Sequence, residues 1–95
     1  MTRFDAFTFV SARAWFFGDL DKALLCMVVH EVEHRLGGKE VWDRTRISRA
    51  SGMPRETARR KLSELAREGL LEVARGSVRL TDSGRERLKQ SGLVG

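Results

Sequence analysis

The apolar positions at the start of the chain fit two periods. In residues 1–18, MTRFDAFTFVSARAWFFG, Phe7, Val10, Ala14 and Phe17 share one face of a helix, while Phe7 and Phe9 alternate around Thr8 as on a strand. A helix over residues 5–17 is the reading adopted. Asp19 then stands as an N-cap before a run that reaches Leu36 and meets Gly37-Gly38. Within that run Leu25, Val28, Val29, Val32 and Leu36 form a stripe at about 100° per residue. Leu20, Ala23, Met27, His30 and His34 lie on roughly the opposite side. A helix that is apolar on two sides is sandwiched. One side is expected to meet the helix pair of residues 43–69, and the other the N-terminal segment or a partner chain.

Further along, the pattern shortens. Glu40-Val41-Trp42 suggests a short strand, with Trp42 as a core residue. Asp43 can cap a helix over residues 44–51, in which Ile47 and Ala50 are apolar. Gly52 tolerates the left-handed conformation that ends such a helix. Pro54 suits the first turn of the next, where its missing N–H is not needed. Ala58, Leu62 and Leu65 give this second helix one buried stripe, and Gly69 ends it. Residues 70–74 and 77–81 read as two strands around Arg75-Gly76, with Leu71, Val73, Val78 and Leu80 on one face, as a half-buried hairpin requires. Thr81 can cap a last helix over residues 82–90 with Leu88 inward, and residues 91–95 are expected to be loose. The expected fold is mainly α with a small β-hairpin. It is one domain of 1–95, with an N-terminal arm and long helix (1–36), two helices about a tight turn (43–69), a hairpin (70–81) and a C-terminal helix.

Charge changes this picture by dividing the chain in two. Residues 44–95 contain thirteen Lys or Arg against six Asp or Glu, whereas residues 1–43 contain five against seven. A basic half beside a slightly acidic one suggests that one end meets a polyanion. The single cysteine excludes an internal disulfide and fits a reducing cytoplasm. The longest apolar run, Ala23 to Val29, is too short to span a bilayer, and Asp5 and Arg13 interrupt the N-terminal aromatic segment as a signal peptide. Six of the seven aromatic residues fall in the first 18 positions. That is more apolar surface than a chain end needs, and it suggests a homodimer interface built from Phe7, Phe9, Val10, Trp15, Phe16, Phe17, Leu20 and Met27.

A short helix, a glycine turn and a basic second helix form a helix-turn-helix, whose second helix can enter the DNA major groove. Arg55-Glu56-Thr57 followed by Arg60 resembles the R-E-T-x-x-R of the catabolite-activator family of winged helix regulators. Residues 78–85, VRLTDSGR, look more like the wing strand and final helix of multiple-antibiotic-resistance-type regulators. The likeness covers residues 43–90 at superfamily level and implies a winged helix-turn-helix. Carried over, it makes Arg55, Glu56 and Arg60 base readers and Thr57 a phosphate contact; the position of the family's preceding serine holds Pro54 here. Arg59, Lys61, Arg75 and Arg79 are the expected backbone contacts, Arg75 from the hairpin tip. The implied function is sequence-specific binding of double-stranded DNA by a cytoplasmic transcriptional regulator, with neither enzymatic activity nor a small-molecule domain. A winged helix used for protein contact or RNA binding is the alternative.

One motif points elsewhere. His30-Glu31-Val32-Glu33-His34 matches H-E-x-x-H, in which two histidines one helical turn apart hold zinc and the glutamate is the general base. Gly37 and Glu40 extend the likeness to metal-dependent peptidases, with Glu40 in place of a third histidine. A zinc hydrolase is therefore a remote alternative, opposed by the charge of Glu33 and by the lack of any further histidine. Cys26, His30 and His34, each four residues apart, could instead hold a regulatory zinc ion; the expected state is no cofactor, with Cys26 packed as a small apolar residue.

Overall fold

The computed structural model describes residues 14–16, 18–36, 42–74 and 76–93. Among them the chain is mainly helical, with one two-stranded antiparallel sheet. The order is α1 (Leu20–Leu36), α2 (Arg44–Ser51), α3 (Arg55–Arg67), β1 (Leu71–Ala74), β2 (Ser77–Leu80) and α4 (Asp82–Ser91).

Local chemistry sets the boundaries of these elements. Asp19 Oδ1 accepts from the backbone N–H groups of Asp21 (3.0 Å) and Lys22 (3.2 Å), capping α1. Asp43 does the same for α2 through the N–H of Arg46 at 2.9 Å, and Gly52 closes that helix at φ 75°. Pro54 occupies the N-cap of α3 rather than its first turn and has no side chain to cap with, so only its carbonyl serves the helix, accepting from Ala58 N–H at 3.0 Å. At the other end Leu70 N–H bonds Leu65 C=O and Gly69 N–H bonds Ala66 C=O, with Gly69 at φ 79°. This six-to-one and five-to-two pairing turns the chain sharply into β1.

β1 and β2 pair in the register Leu71 with Leu80 and Val73 with Val78, which puts the four apolar residues on one face. Trp42 lies beside them: its carbonyl accepts from Val78 N–H at 2.9 Å. The expected strand at 40–42 falls, apart from Trp42, outside the described residues, as do nearly all of the expected helix over 5–17 and the Gly37-Gly38 stop. The Thr81 hydroxyl accepts from Gly84 N–H at 3.0 Å, capping α4, and donates to Gly69 C=O at 2.6 Å.

The core gathers around α1, which packs against α2, α3, β2 and α4. Leu25, Cys26 and Val29 of α1 meet Ile47, Leu62, Leu65 and Leu88 in one cluster. The two expected sides of α1 do not separate: Ala23, Leu25 and Val29 are buried and Leu20, Met27, Val28 and Val32 are half-buried against the core, each set drawn from both sides. Two further expectations are corrected here. Phe16 is fully buried among the core residues of its own chain, so it is not available as a dimer contact. Residues 91 and 93 are not loose: Gly92 turns at φ 80° and folds Leu93 back into the core, while the Ser91 hydroxyl bonds Leu88 C=O at 2.8 Å.

Ion pairs fasten α1 to α3. Lys22, 6% exposed, places Nζ 2.6 Å from Glu68 and 3.2 Å from Glu64. Burial alone would lower its pKa, but the bonds to Glu68 and Glu64 outweigh burial and hold it above the ordinary lysine value. Lys61 reaches Asp19 at 2.5 Å and Asp21 at 3.7 Å. On the other flank Glu33 accepts from Leu80 N–H at 3.0 Å and pairs with Arg85 at 3.6 Å, joining α1 to β2 and α4.

Candidate nucleic-acid interface

Helix α3 divides along its length. Ala58, Leu62 and Leu65 face the core, and Arg55, Glu56, Arg59 and Arg60 are exposed. Arg55, Glu56 and Arg59 have no side-chain hydrogen bond or ion pair among the described residues; Arg60 makes only a loose contact of 3.7 Å with Glu64 one turn on, itself two-thirds exposed. The three expected base readers are thus all exposed, Arg55 and Glu56 in the first turn of the helix and Arg60 one turn later. Thr57 is half-buried beside them.

Of the expected backbone contacts, Arg59 belongs to this surface and Lys61 does not. The Lys61 side chain is 15% exposed and its ammonium is held by Asp19 and Asp21, on the α1 side of the helix. Its place on the helix explains this: Lys61 lies beside the buried stripe of Ala58, Leu62 and Leu65, and the acidic start of α1 packs there. Arg79 is exposed on β2, opposite Glu72 in the hairpin register. Arg75 lies outside the described residues.

Helix α2 adds a feature that the sequence reading passed over. Its exposed residues include Arg44, Arg46 and Arg49. Arg46 stacks over Trp42, with its guanidinium 4.7 Å from the ring centre. Arg44 and Arg49 turn instead toward α3, and the two helices enclose a cleft of about 430 Å³ lined by Arg44, Ser48, Arg49, Met53, Arg55 and Arg59. Residues 44, 45, 48 and 49 follow the spacing of one helical stripe, so a helical wheel of α2 drawn for its polar residues would have revealed this face. The sequence reading used only the apolar positions there.

The expected dimer face is only partly described. Phe7, Phe9, Val10 and Phe17 lie outside the described residues. Trp15 is 39% exposed, its carbonyl accepts from Arg87 at 2.7 Å, and the Arg87 guanidinium lies 6.0 Å from its ring centre. Leu24, which the sequence reading did not single out, is 41% exposed and forms with Met27, Val28, Val32, Trp42 and Ala50 an apolar groove of about 410 Å³ along α1.

The suggested zinc ligands do not converge. Cys26 is fully buried in the core and its thiol is pushed up to about 12, chiefly by burial and further by the charge of Glu68. The His30 and His34 rings stack with centres 6.0 Å apart, and Glu31 pairs with Arg35 at 3.0 Å. Among the described residues no three His, Cys, Asp or Glu side chains are arranged to hold a metal ion. Nor is any helix among them long and apolar enough to cross a membrane. No protein family, curated protein or solved structure matches the chain.

Proposed function

We propose that this chain is a winged helix-turn-helix transcriptional regulator that binds double-stranded DNA in the cytoplasm. In this reading α2 and α3 are the helix-turn-helix, α3 is the recognition helix, and the β1–β2 hairpin is the wing. The observation that carries it is the exposed end of α3. Arg55 and Glu56 stand there without partners among the described residues, and Arg60 follows one turn later with only a loose one. Arginine can hold guanine O6 and N7 with two hydrogen bonds, and glutamate can accept from cytosine N4. The arginines of α2 and Arg79 on the hairpin extend the positive surface to either side, where phosphates flank a groove.

The regulator acts as a homodimer, which gives it two recognition helices for two half-sites about one DNA turn apart. The groove along α1 with exposed Leu24 supports self-association through that face, together with Trp15 and the N-terminal aromatic residues. Selection from a random duplex pool tests the DNA reading: an enriched motif with two related half-sites is expected, and recovery of unenriched sequence would overturn it. Sedimentation at micromolar concentration tests the dimer, and a monomer there would overturn that part alone.

A further inference from the structure

We infer that the cleft between α2 and α3 is a seat for a phosphate group. Four guanidinium groups line it, those of Arg44 and Arg49 from α2 and of Arg55 and Arg59 from α3, and no carboxylate among the described residues does. None of the four has an ion pair or side-chain hydrogen bond among the described residues. Like charges gathered in a concave site raise the local potential for an anion, and the planar fork of arginine matches phosphate oxygens with paired hydrogen bonds.

Ser48 is the second, independent sign. It lies on the cleft wall, is only 5% exposed, and its hydroxyl has no hydrogen-bond partner among the described residues. A buried hydroxyl without a partner carries an uncompensated desolvation cost. An anion oxygen in the cleft would accept its hydrogen and remove that cost. The half-buried Ser51 of the same helix is satisfied within it, bonding Ser48 C=O at 2.6 Å. Ser48 is the buried polar residue of α2, and it lines the same cleft as the four arginines.

The phosphate has two sources. It is a backbone phosphate beside the groove that α3 reads, or the phosphate of a small free molecule that then occupies part of the DNA surface. The first rests on the DNA reading above; the seat itself does not.

The test uses the full chain and pyrophosphate as probe, by titration calorimetry. Wild type is expected to bind with a Kd of about 1 mM or tighter. The double substitution Arg49→Gln with Arg59→Gln should weaken binding at least about tenfold, the order expected for losing charge-assisted hydrogen bonds. Ser48→Ala should weaken it severalfold while the fold melts at or above the wild-type temperature, because it removes an unsatisfied buried group and no charge. Lys89→Gln, exposed on α4, should leave it unchanged. Absence of pyrophosphate binding by wild type, or equal weakening by Lys89→Gln, would overturn the seat and leave only diffuse positive charge.

A second arm identifies the source. If a DNA phosphate fills the cleft, the double substitution reduces the salt slope of duplex binding by roughly one ion, and pyrophosphate competes with duplex. An unchanged slope beside lost pyrophosphate binding assigns the seat to a free phosphorylated molecule. Wild-type protein that binds pyrophosphate but no duplex keeps the seat and removes the DNA reading.

Discussion

Asp19 has two tasks that substitutions can separate. Its Oδ1 caps α1 through two backbone N–H groups, and its Oδ2 holds Lys61 on α3. A cap of this kind contributes about 1 kcal/mol. The ion pair joins side chains that are 15% and 22% exposed. It therefore lies between a surface pair, at about 0–1 kcal/mol, and a fully buried one, whose breaking costs about 3–5. A contribution of about 1–2 kcal/mol follows, reduced somewhat because Asp21, 3.7 Å from Lys61, can take over part of the partnership. Asp19→Ala should then cost about 2–3 kcal/mol, and Asp19→Asn, which keeps the cap, about 1–2. A cycle with Lys61→Met should return a coupling of similar size. The acid limb gives a further check. Burial works to raise the Asp19 pKa, but the Lys61 hydrogen bond and charge and the N–H groups of Lys22 and Asp21 outweigh it, so the folded pKa lies below the unfolded value of 3.8. The contribution is therefore complete above that value and is lost as pH falls through the folded pKa. Urea unfolding of wild type and Asp19→Asn should show a constant gap near neutrality that closes in acid. A gap of zero at pH 7, or one that persists unchanged in strong acid, would refute the reasoning.

Three further outcomes are expected. Gly84→Ala should lose about 1–3 kcal/mol in thermal unfolding although alanine favours helices by up to about 1, because the added Cβ would sit 2.1 Å from the Leu70 carbonyl oxygen and 2.9 Å from a Leu80 methyl; Ser83→Ala, exposed next to it, should be nearly neutral. Leu93→Ala should cost about 2–5 kcal/mol by urea titration, as a fully buried leucine does, where a loose tail would show no change. Arg60→Ala should cost on the order of 1–3 kcal/mol on the selected DNA site and much less on random duplex, while Glu56→Ala relaxes one base position and leaves non-specific affinity equal or tighter; a repeat selection returning the wild-type motif for both would exclude α3 as the reader.

Where the sequence carried a local signal, structure followed it. Asp43, Gly52, Gly69 and Thr81 act where capping and turn chemistry put them, and the hairpin pairs Leu71 with Leu80 because an alternation of period two leaves one register that buries both. What depends on neighbours distant in sequence was not legible. Lys61 reads as a free basic residue until α1 brings Asp19 against it, 42 positions away. Leu93 reads as tail until Gly92 turns it inward. A helical wheel shows the polar face of α2, but the arginine cleft also needs α3 beside it. The sandwiched place of α1 was legible, and it packs against α2 and α3; which of its residues are buried was not, because its apolar residues surround it too broadly for a single stripe.

The Thr81 hydroxyl links two helix ends that are otherwise separate, donating to Gly69 at the end of α3 and accepting from Gly84 at the start of α4. The two ends share one hydroxyl, so fraying of either removes one of the two bonds that hold that oxygen in place. In amide hydrogen exchange, Gly84 and Leu70 should therefore open together with one free energy, as parts of one cooperative unit. Thr81→Val keeps the shape but removes the shared oxygen, and should let Gly84 exchange ahead of Leu70. The hairpin between them is thereby closed at its base as a loop of fixed ends, tied to the helix that carries Arg55 and Arg60.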